Sequence, residues 1–159
     1  MVSASLDMLE ESLVKKIEVM NKIQEENERQ KELLKNPDQV DEVEFDEILD
    51  SKGELINQLL KLDDGFQSLF DRVKKDVEEN KDMYKVQIGR MQGYIKDITG
   101  LSASIEVAEK RNKKLAEEYF STARQKMNYS RQTSAAAYNY YRTMNNFKDI
   151  PPQYLDNKN

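Results

Sequence analysis

Apolar residues recur at steps of three and four along most of the chain, and this spacing constrains the fold more than any other feature. Side chains at this spacing share one face of an α-helix. Only three prolines and five glycines interrupt the 159 residues, too few breakers for a fold of many short strands. Charged residues make up 35% of the chain and hydrophobic residues 38%, so surface is plentiful relative to core. We therefore predict an elongated all-α protein.

The first predicted helix spans roughly residues 5–35, with Ser5 as its N-cap and a stop before Pro37. Its apolar stripe becomes polar at Asn27 and Gln30. Polar groups in such a stripe specify which helices pair, at some cost in stability. The alternative is partly hydrated packing near the following turn.

The second predicted helix spans residues 41–80 and begins with acidic residues, which suit the positive end of a helix dipole. Residues 63–65, Asp-Asp-Gly, are the strongest local turn signal, yet the stripe keeps its phase across them. This predicts one continuous helix. The third helix is predicted over residues 82–127, with a candidate kink or break at Gly100, after which Ser102 would cap a new segment.

These elements predict an antiparallel helical hairpin plus a longer third helix, similar to a three-helix bundle or coiled coil. If the hairpin turns near residue 81, the third helix passes the start of the second near residue 121. The apolar residues beyond that point must fold back, self-associate or receive a partner. We therefore divide the chain into a helical domain, 1–128, and a Tyr-rich basic tail, 129–159, that is mobile or docks on a partner.

Several function classes are excluded by composition. The chain has no His and no Cys, so it cannot form a zinc or iron–sulfur site, a His-dependent nucleophile or a disulfide. Six carboxylates between residues 41 and 50 lack EF-hand spacing, and a solvated helix face explains them better than a calcium site. We expect neither an enzyme nor a cofactor.

The distribution of charge bears on partners and location. Residues 1–80 have a net charge of −11 and residues 81–159 of +6, which favours packing of an acidic helix beside a basic one. Tyrosines and arginines interleave in the tail like a base-stacking surface, but the acidic total argues against nucleic acid. No apolar run approaches a membrane span and no secretory signal is visible, so we expect a cytoplasmic protein.

Two segments resemble the flagellar export chaperones of the FlgN type, to which the FliT-like proteins are related in role. They are Ile-Leu-Asp-Ser-Lys-Gly-Glu-Leu-Ile-Asn-Gln-Leu-Leu-Lys-Leu-Asp-Asp-Gly-Phe at 48–66 and Ile-Glu-Val-Ala-Glu-Lys-Arg-Asn-Lys-Lys-Leu at 105–115. The resemblance covers roughly residues 6–127, and the tail segment 135–144 is similar to tails of some members. It implies a chaperone for type III secretion in bacterial flagellum biogenesis. Such a chaperone binds C-terminal helices of hook-associated or filament-cap subunits and keeps them unassembled until export.

The overhang and the resemblance together predict where a partner binds. An amphipathic helix of the export substrate would contact six residues of the later third helix: Ile105, Ala108, Leu115, Tyr119, Phe120 and Met127. Four tail residues are spaced to form a short amphipathic helix that would cover this groove until a partner arrives: Tyr138, Tyr141, Met144 and Phe147. The opposing hypothesis is that the tail itself binds the partner or the export apparatus. The alternative function is a structural coiled-coil protein that forms a homodimer or larger scaffold.

Overall fold

The computed structural model describes residues 2–125 and 137–144. It contains the long helices α1 (Val2–Leu33), α2 (Glu42–Glu79) and α3 (Lys85–Gln125), with a 3-10 turn at Pro37–Gln39. Residues 137–144 form a further helix, here called the C-terminal segment. Within these residues there is no strand. The all-α prediction and the three long helices are confirmed.

The start of α2 is set by a side-chain cap. The carboxylate of Asp41 accepts hydrogen bonds from the backbone N–H groups of Val43 at 3.0 Å and Glu44 at 3.2 Å. Both donors would otherwise lack a partner at the helix N-terminus. Ser5 does not have the predicted capping role, because α1 already begins at Val2. Neither Gly nor Pro precedes Ser5, so the hydrogen-bond ladder continues through it.

Both long helices continue through their glycines. Gly65 lies inside α2, as the phase of the stripe predicted. The expected break at Gly100 does not occur, and Ser102 lies within α3 instead of capping a new helix. Ile98 and Ile105, on either side of Gly100, are both buried. Their packing outweighs the roughly 1 kcal/mol that a glycine costs in a helix interior.

Helix α1 lies between the other two long helices and packs against both. It runs antiparallel to α2, since Lys16 near its middle pairs with Asp63 at 2.6 Å and Arg29 near its end lies 3.3 Å from Glu44. The short connection around the 3-10 turn imposes this direction.

Helix α3 runs parallel to α1 and antiparallel to α2. Glu10 of α1 pairs with Arg90 of α3 at 2.7 Å, and near the other end Glu28 lies 3.7 Å from Arg111. Both pairs join an acidic side chain of α1 to a basic one of α3, in line with the charge division of the sequence. The bundle is therefore up–down–up.

The core consists of the inward-facing apolar stripes of the three long helices. Its most deeply buried members include Leu9, Leu13, Met20, Ile23, Phe45, Ile56, Leu59, Met91, Ile95 and Ile98. Among the described residues, no helix is both long and apolar enough to span a membrane.

The predicted meeting of α2 and α3 is found close to its expected register. Near the start of α2, the ring of Phe45 makes edge contacts with Tyr119 and Phe120 of α3, with centroids 5.2 and 5.8 Å apart. Beyond this point the C-terminal segment folds back on the bundle. Its inward residues Ala137 and Met144 are only 2% and 5% exposed. The sequence left three possibilities for the apolar residues beyond α3: folding back, self-association or binding a partner. In the structure, residues 137–144 fold back on the bundle.

Candidate functional site

The C-terminal segment lies over a groove on the later half of α3. The groove is the surface of the bundle that the segment covers, where Tyr140 of the segment contacts Glu109 and Lys52. Between the segment and α3 a cavity of about 440 Å³ remains. Its lining comes half from α3 and half from the segment: Lys113, Ala116, Glu117 and Phe120, with Ala137, Tyr138, Tyr141 and Arg142. The cavity is space that the segment leaves unfilled, whereas the groove itself is already covered by a helix of the same chain.

The residues predicted to bind a partner fall into three groups. Ile105, Ala108 and Tyr119 are buried inside the bundle, while Leu115 and Phe120 are half-buried. Met127 lies outside the described residues. Phe120 is the one of the five described that lines the cavity. A role for all six in partner binding stays a prediction.

The tail residues match the predicted inward face only in part, because Met144 is buried but Tyr138 is not. Tyr138 is 68% exposed, and Tyr141 is half-buried. The inward face consists of Ala137, Tyr140 and Met144, which are three and four residues apart. Phe147 lies outside the described residues. Tyr140, absent from the predicted face, is drawn inward by polar partners below the segment.

A buried polar cluster lies under the C-terminal segment, and we call it the Lys52 cluster: Gln30, Lys52, Glu109, Asn112 and Tyr140. The Lys52 ammonium is fully buried and donates hydrogen bonds to Gln30 Oε1 at 2.6 Å and to Glu109 Oε1 at 3.1 Å. It also lies 3.1 Å from Glu109 Oε2. One cation thus connects all three long helices.

Asn112 completes the connection between α1 and α3. Its Nδ2 donates to the backbone carbonyl of Asn27 at 2.9 Å and to Gln30 Oε1 at 3.1 Å. Because Gln30 Oε1 accepts from both Lys52 and Asn112, the orientation of the Gln30 amide is determined by two donors. The polar positions that interrupt the α1 stripe are therefore buried, not hydrated, and Gln30 bonds to both other long helices. That they specify which helices pair stays a prediction.

Tyr140 joins the C-terminal segment to this cluster. Its hydroxyl donates to Glu109 Oε2, and the Lys52 ammonium lies 4.3 Å from the centre of its ring. A cation over a tyrosine ring is attracted by the negative face of the ring. The neighbouring ring of Tyr141 makes an edge contact with that of Tyr140. Tyr140 is 4% exposed, so both polar contacts are removed from water.

Burial governs protonation in the cluster. Desolvation lowers the pKa of Lys52 from 10.5 to about 8, and the nearby carboxylate of Glu109 opposes this change. Desolvation, followed by the negative charge of Glu109, raises the pKa of Tyr140 well above its usual range. The Tyr140 hydroxyl therefore remains protonated and available as a donor near neutral pH.

The fit between the C-terminal segment and the cluster is incomplete. Within the described part of the chain, neither Gln30 Nε2 nor the Tyr141 hydroxyl has a hydrogen bond of good geometry. Burial raises the pKa of Tyr141 above its usual range, and the nearby Gln30 amide offsets only part of that rise. The two groups lie near each other but their contact is poorly aligned, and a poorly satisfied buried polar pair costs stability.

The other clusters of charge have structural roles. The carboxylates at the start of α2 cap the helix through Asp41 or lie near Arg29, as Glu44 and Glu47 do. No group of three His, Cys, Asp or Glu that could hold a metal occurs among residues 2–125 and 137–144. The arrangement offers hydrogen bonds and apolar surface, which are the means of binding a helix.

The sequence contained a signal for the Lys52 cluster that the prediction did not use. Lys52 is four residues from both Ile48 and Ile56, so it belongs to the apolar stripe of α2. Glu109 is four residues after Ile105 and lies on the stripe of α3. A cation and an anion at core positions of two antiparallel helices predict a buried pair.

Comparison of the chain with protein-family models, curated proteins and solved structures finds no match.

Proposed function

We propose that this chain is a cytoplasmic flagellar export chaperone of the FlgN type. In this proposal the chain holds the amphipathic C-terminal helix of a hook-associated or filament-cap subunit and keeps that subunit unassembled until secretion. The observation that carries the proposal is the groove on the bundle, because a helical segment of the chain itself covers it and buries Ala137, Tyr140 and Met144 against it. The resemblance of residues 48–66 and 105–115 to the family supports the choice of partner.

The size of the segment supports exchange for a longer helix. Residues 137–144 make only two turns of helix, and their inward apolar residues are Ala137, Tyr140 and Met144. A partner helix of several more turns would bury more apolar surface on α3, at about 25 cal/mol per Å². Helix-in-groove binding of this kind is a recurring mode of peptide recognition.

A crosslink that holds the segment in place tests the proposal. The natural chain has no cysteine, so Lys113→Cys in α3 and Tyr138→Cys in the segment, on opposite walls of the cavity, can be joined by a short cleavable crosslinker. We expect the crosslinked chain to lose binding to synthetic C-terminal helices of hook-associated subunits, and cleavage to restore it. Fluorescence anisotropy measures the affinity.

A matched control uses a second groove. Lys22 and Lys61 line a separate groove between α1 and α2, and the same crosslink between cysteines there should leave binding unchanged. Equal affinity of the groove-locked chain before and after cleavage would contradict the proposal. Absence of binding in both states, with native helix content, would do the same.

The second candidate is the homo-oligomeric scaffold. Met83 and Val86, near the turn between α2 and α3, are both largely exposed and offer apolar surface to another copy. Light scattering that shows a tight dimer, together with no helix binding, would favour this alternative.

A further inference from the structure

The Lys52 cluster lies beneath a binding groove and does not belong to an ordinary apolar core. Each long helix supplies part of it: Gln30 from α1, Lys52 from α2, and Glu109 with Asn112 from α3. These four side chains are hydrogen-bonded to one another without any help from the C-terminal segment. The polar site is therefore preassembled by the bundle.

The chemistry of this site selects one kind of side chain from an incoming helix. Each oxygen of a carboxylate can accept two hydrogen bonds, so Lys52 does not exhaust Glu109. Glu109 Oε2 accepts from the Tyr140 hydroxyl, and Lys52 contacts the ring that carries this hydroxyl. A tyrosine satisfies both groups with one side chain.

Other side chains fit this position less well. Phenylalanine keeps the ring over Lys52 but withdraws the donor from a buried carboxylate. An acidic side chain would be repelled by Glu109, and a basic one would add a second cation beside Lys52. Short hydroxyl side chains lack the ring that the ammonium contacts.

We propose that the groove recognises a tyrosine hydroxyl on the helix that it binds. That helix carries a small residue three positions before the tyrosine and a methionine-like residue four positions after it. This inference rests on the proposed function and specifies the partner: an amphipathic helix of another protein. The pattern is taken from the segment seated in the groove, where Ala137, Tyr140 and Met144 are the buried positions.

The same geometry explains why the segment is replaceable. It leaves the Tyr141 hydroxyl and Gln30 Nε2 without good partners among the described residues. A partner helix with the same tyrosine, followed by an apolar residue or a well-placed acceptor, avoids one or both of these costs. The segment thus supplies the tyrosine that the groove recognises, but its other polar groups pair poorly with the bundle.

Three peptides test whether the groove recognises the tyrosine hydroxyl. They correspond to residues 134–147, to the same peptide with Tyr140→Phe, and to a matched control with Tyr141→Phe. The receptor is the full chain with Ala137→Asp, which places a charge at a buried position of the segment and frees the groove. We expect the Tyr140→Phe peptide to bind about tenfold more weakly than the parent, because a charge-assisted hydrogen bond is lost.

The Tyr141→Phe peptide should bind within about threefold of the parent or tighter, since its hydroxyl has no good partner to lose. In a receptor that also carries Glu109→Gln, the preference for tyrosine over phenylalanine at position 140 should shrink to about threefold or less, because the charged acceptor is gone.

The outcomes separate this inference from the proposed function. Equal affinities for all three peptides would overturn the hydroxyl reading, while helix capture would stand. Binding of hook-associated helices without binding of any of the three peptides would also overturn only this inference. Absence of binding by every helix tried would overturn both. If the natural chain forms a dimer and Tyr140→Phe dissociates it, the groove is filled by the segment of a second copy. That result would contradict binding of a helix from another protein.

Discussion

Lys52 is the residue whose environment departs most from what its side chain prefers. A lysine is among the side chains least often buried, yet here it is fully buried. Its ammonium contacts Gln30, Glu109 and the ring of Tyr140, so the charge is compensated from several sides. The burial nevertheless lowers the pKa of Lys52 to about 8, which means that the charged form is held at a cost.

This cost predicts a pH dependence of stability. Above about pH 8 the folded chain releases the Lys52 proton, whereas the unfolded chain retains it until about pH 10.5. The unfolded state then binds more protons, so the free energy of unfolding contributed by Lys52 rises with pH across this interval. Relative to a Lys52→Met variant, the natural chain should gain on the order of 2 kcal/mol between about pH 7 and about pH 9.5.

Urea unfolding of both proteins at several pH values measures this difference. The comparison stops near pH 9.5 because unfolded tyrosines begin to ionise near pH 10. The raised pKa of Tyr140 acts in the opposite direction there, since the folded state then binds more protons. A difference that is constant or falls with pH would show that Lys52 is not held with a lowered pKa.

At the scale of helices, the Lys52–Glu109 pair is the principal buried charge contact between α2 and α3. Replacing one member leaves the other charged and buried, so Lys52→Met or Glu109→Met alone should cost about 3–5 kcal/mol. The double variant Lys52→Met/Glu109→Met should cost far less than the sum, because two buried charges disappear together. Chemical denaturation of the four proteins gives the coupling energy.

Near-additive costs of the two single changes would mean that the pair is not coupled in the folded state. The double variant also bears on function. It should fold but lose the preference for tyrosine in the groove, since neither the acceptor nor the cation remains. Stability and specificity are thus separated by one set of proteins.

The helices themselves were predictable because their stripes extend over many turns. The acidic residues near Asp41 predicted the start of α2 through the helix dipole, and the constant phase across Gly65 predicted a continuous helix. The predicted cap at Ser5 and the predicted break at Gly100 were wrong. A local cap or breaker signal is worth about 1 kcal/mol, which is less than the packing of a long apolar stripe contributes. Local signals decide a helix boundary only where tertiary packing is neutral.

The site was less predictable because it depends on contacts between distant parts of the chain. Tyr140 joins Glu109 across 31 positions, and Lys52 joins Glu109 across 57. The fold-back that creates these contacts follows from no local pattern. Sequence spacing did predict a short amphipathic helix in the tail, but it took Tyr138 and Tyr141 with Met144 as the inward face, whereas Ala137, Tyr140 and Met144 turn inward.

The glycines of the long helices give a test at the same scale. A Cβ added at Gly65 would meet no atom within 4 Å, and the residue lies in the interior of α2. Gly65→Ala should therefore stabilise the chain by roughly 0.5–1 kcal/mol, because alanine loses less backbone entropy on folding. Thermal unfolding measures the change, and Gly100→Ala in α3, which is equally unobstructed, should behave in the same way.

A loss of stability in Gly65→Ala would contradict a regular helix at this position. Fast amide exchange over residues 61–67 of the natural chain would contradict it independently, since hydrogen-bonded amides in a helix interior exchange slowly.

For the whole molecule, the proposed function makes partner binding a competition with the C-terminal segment, because both would use the same groove. The segment and a partner helix cannot occupy the groove together. Because the segment is part of the same chain, its effective concentration near the groove is high. The apparent dissociation constant for a partner is the intrinsic constant divided by the fraction of molecules in which the groove is open, so a mostly closed groove weakens apparent binding.

Removing the segment should therefore tighten partner binding. A chain that ends at Asn128 should bind hook-associated C-terminal helices more tightly than the full chain, by about tenfold if the groove is open in about a tenth of the molecules. The truncation also exposes Glu109 and Lys52, so helix content and the unfolding transition must be compared first, at a temperature well below the transition. Ala137→Asp in the full chain provides a second measurement that keeps the tail covalently present, and its affinity should lie at or near that of the truncated chain. Weaker or unchanged binding in both variants would mean that the tail grips the partner instead of covering the groove, because a competitor that is removed can only raise the apparent affinity.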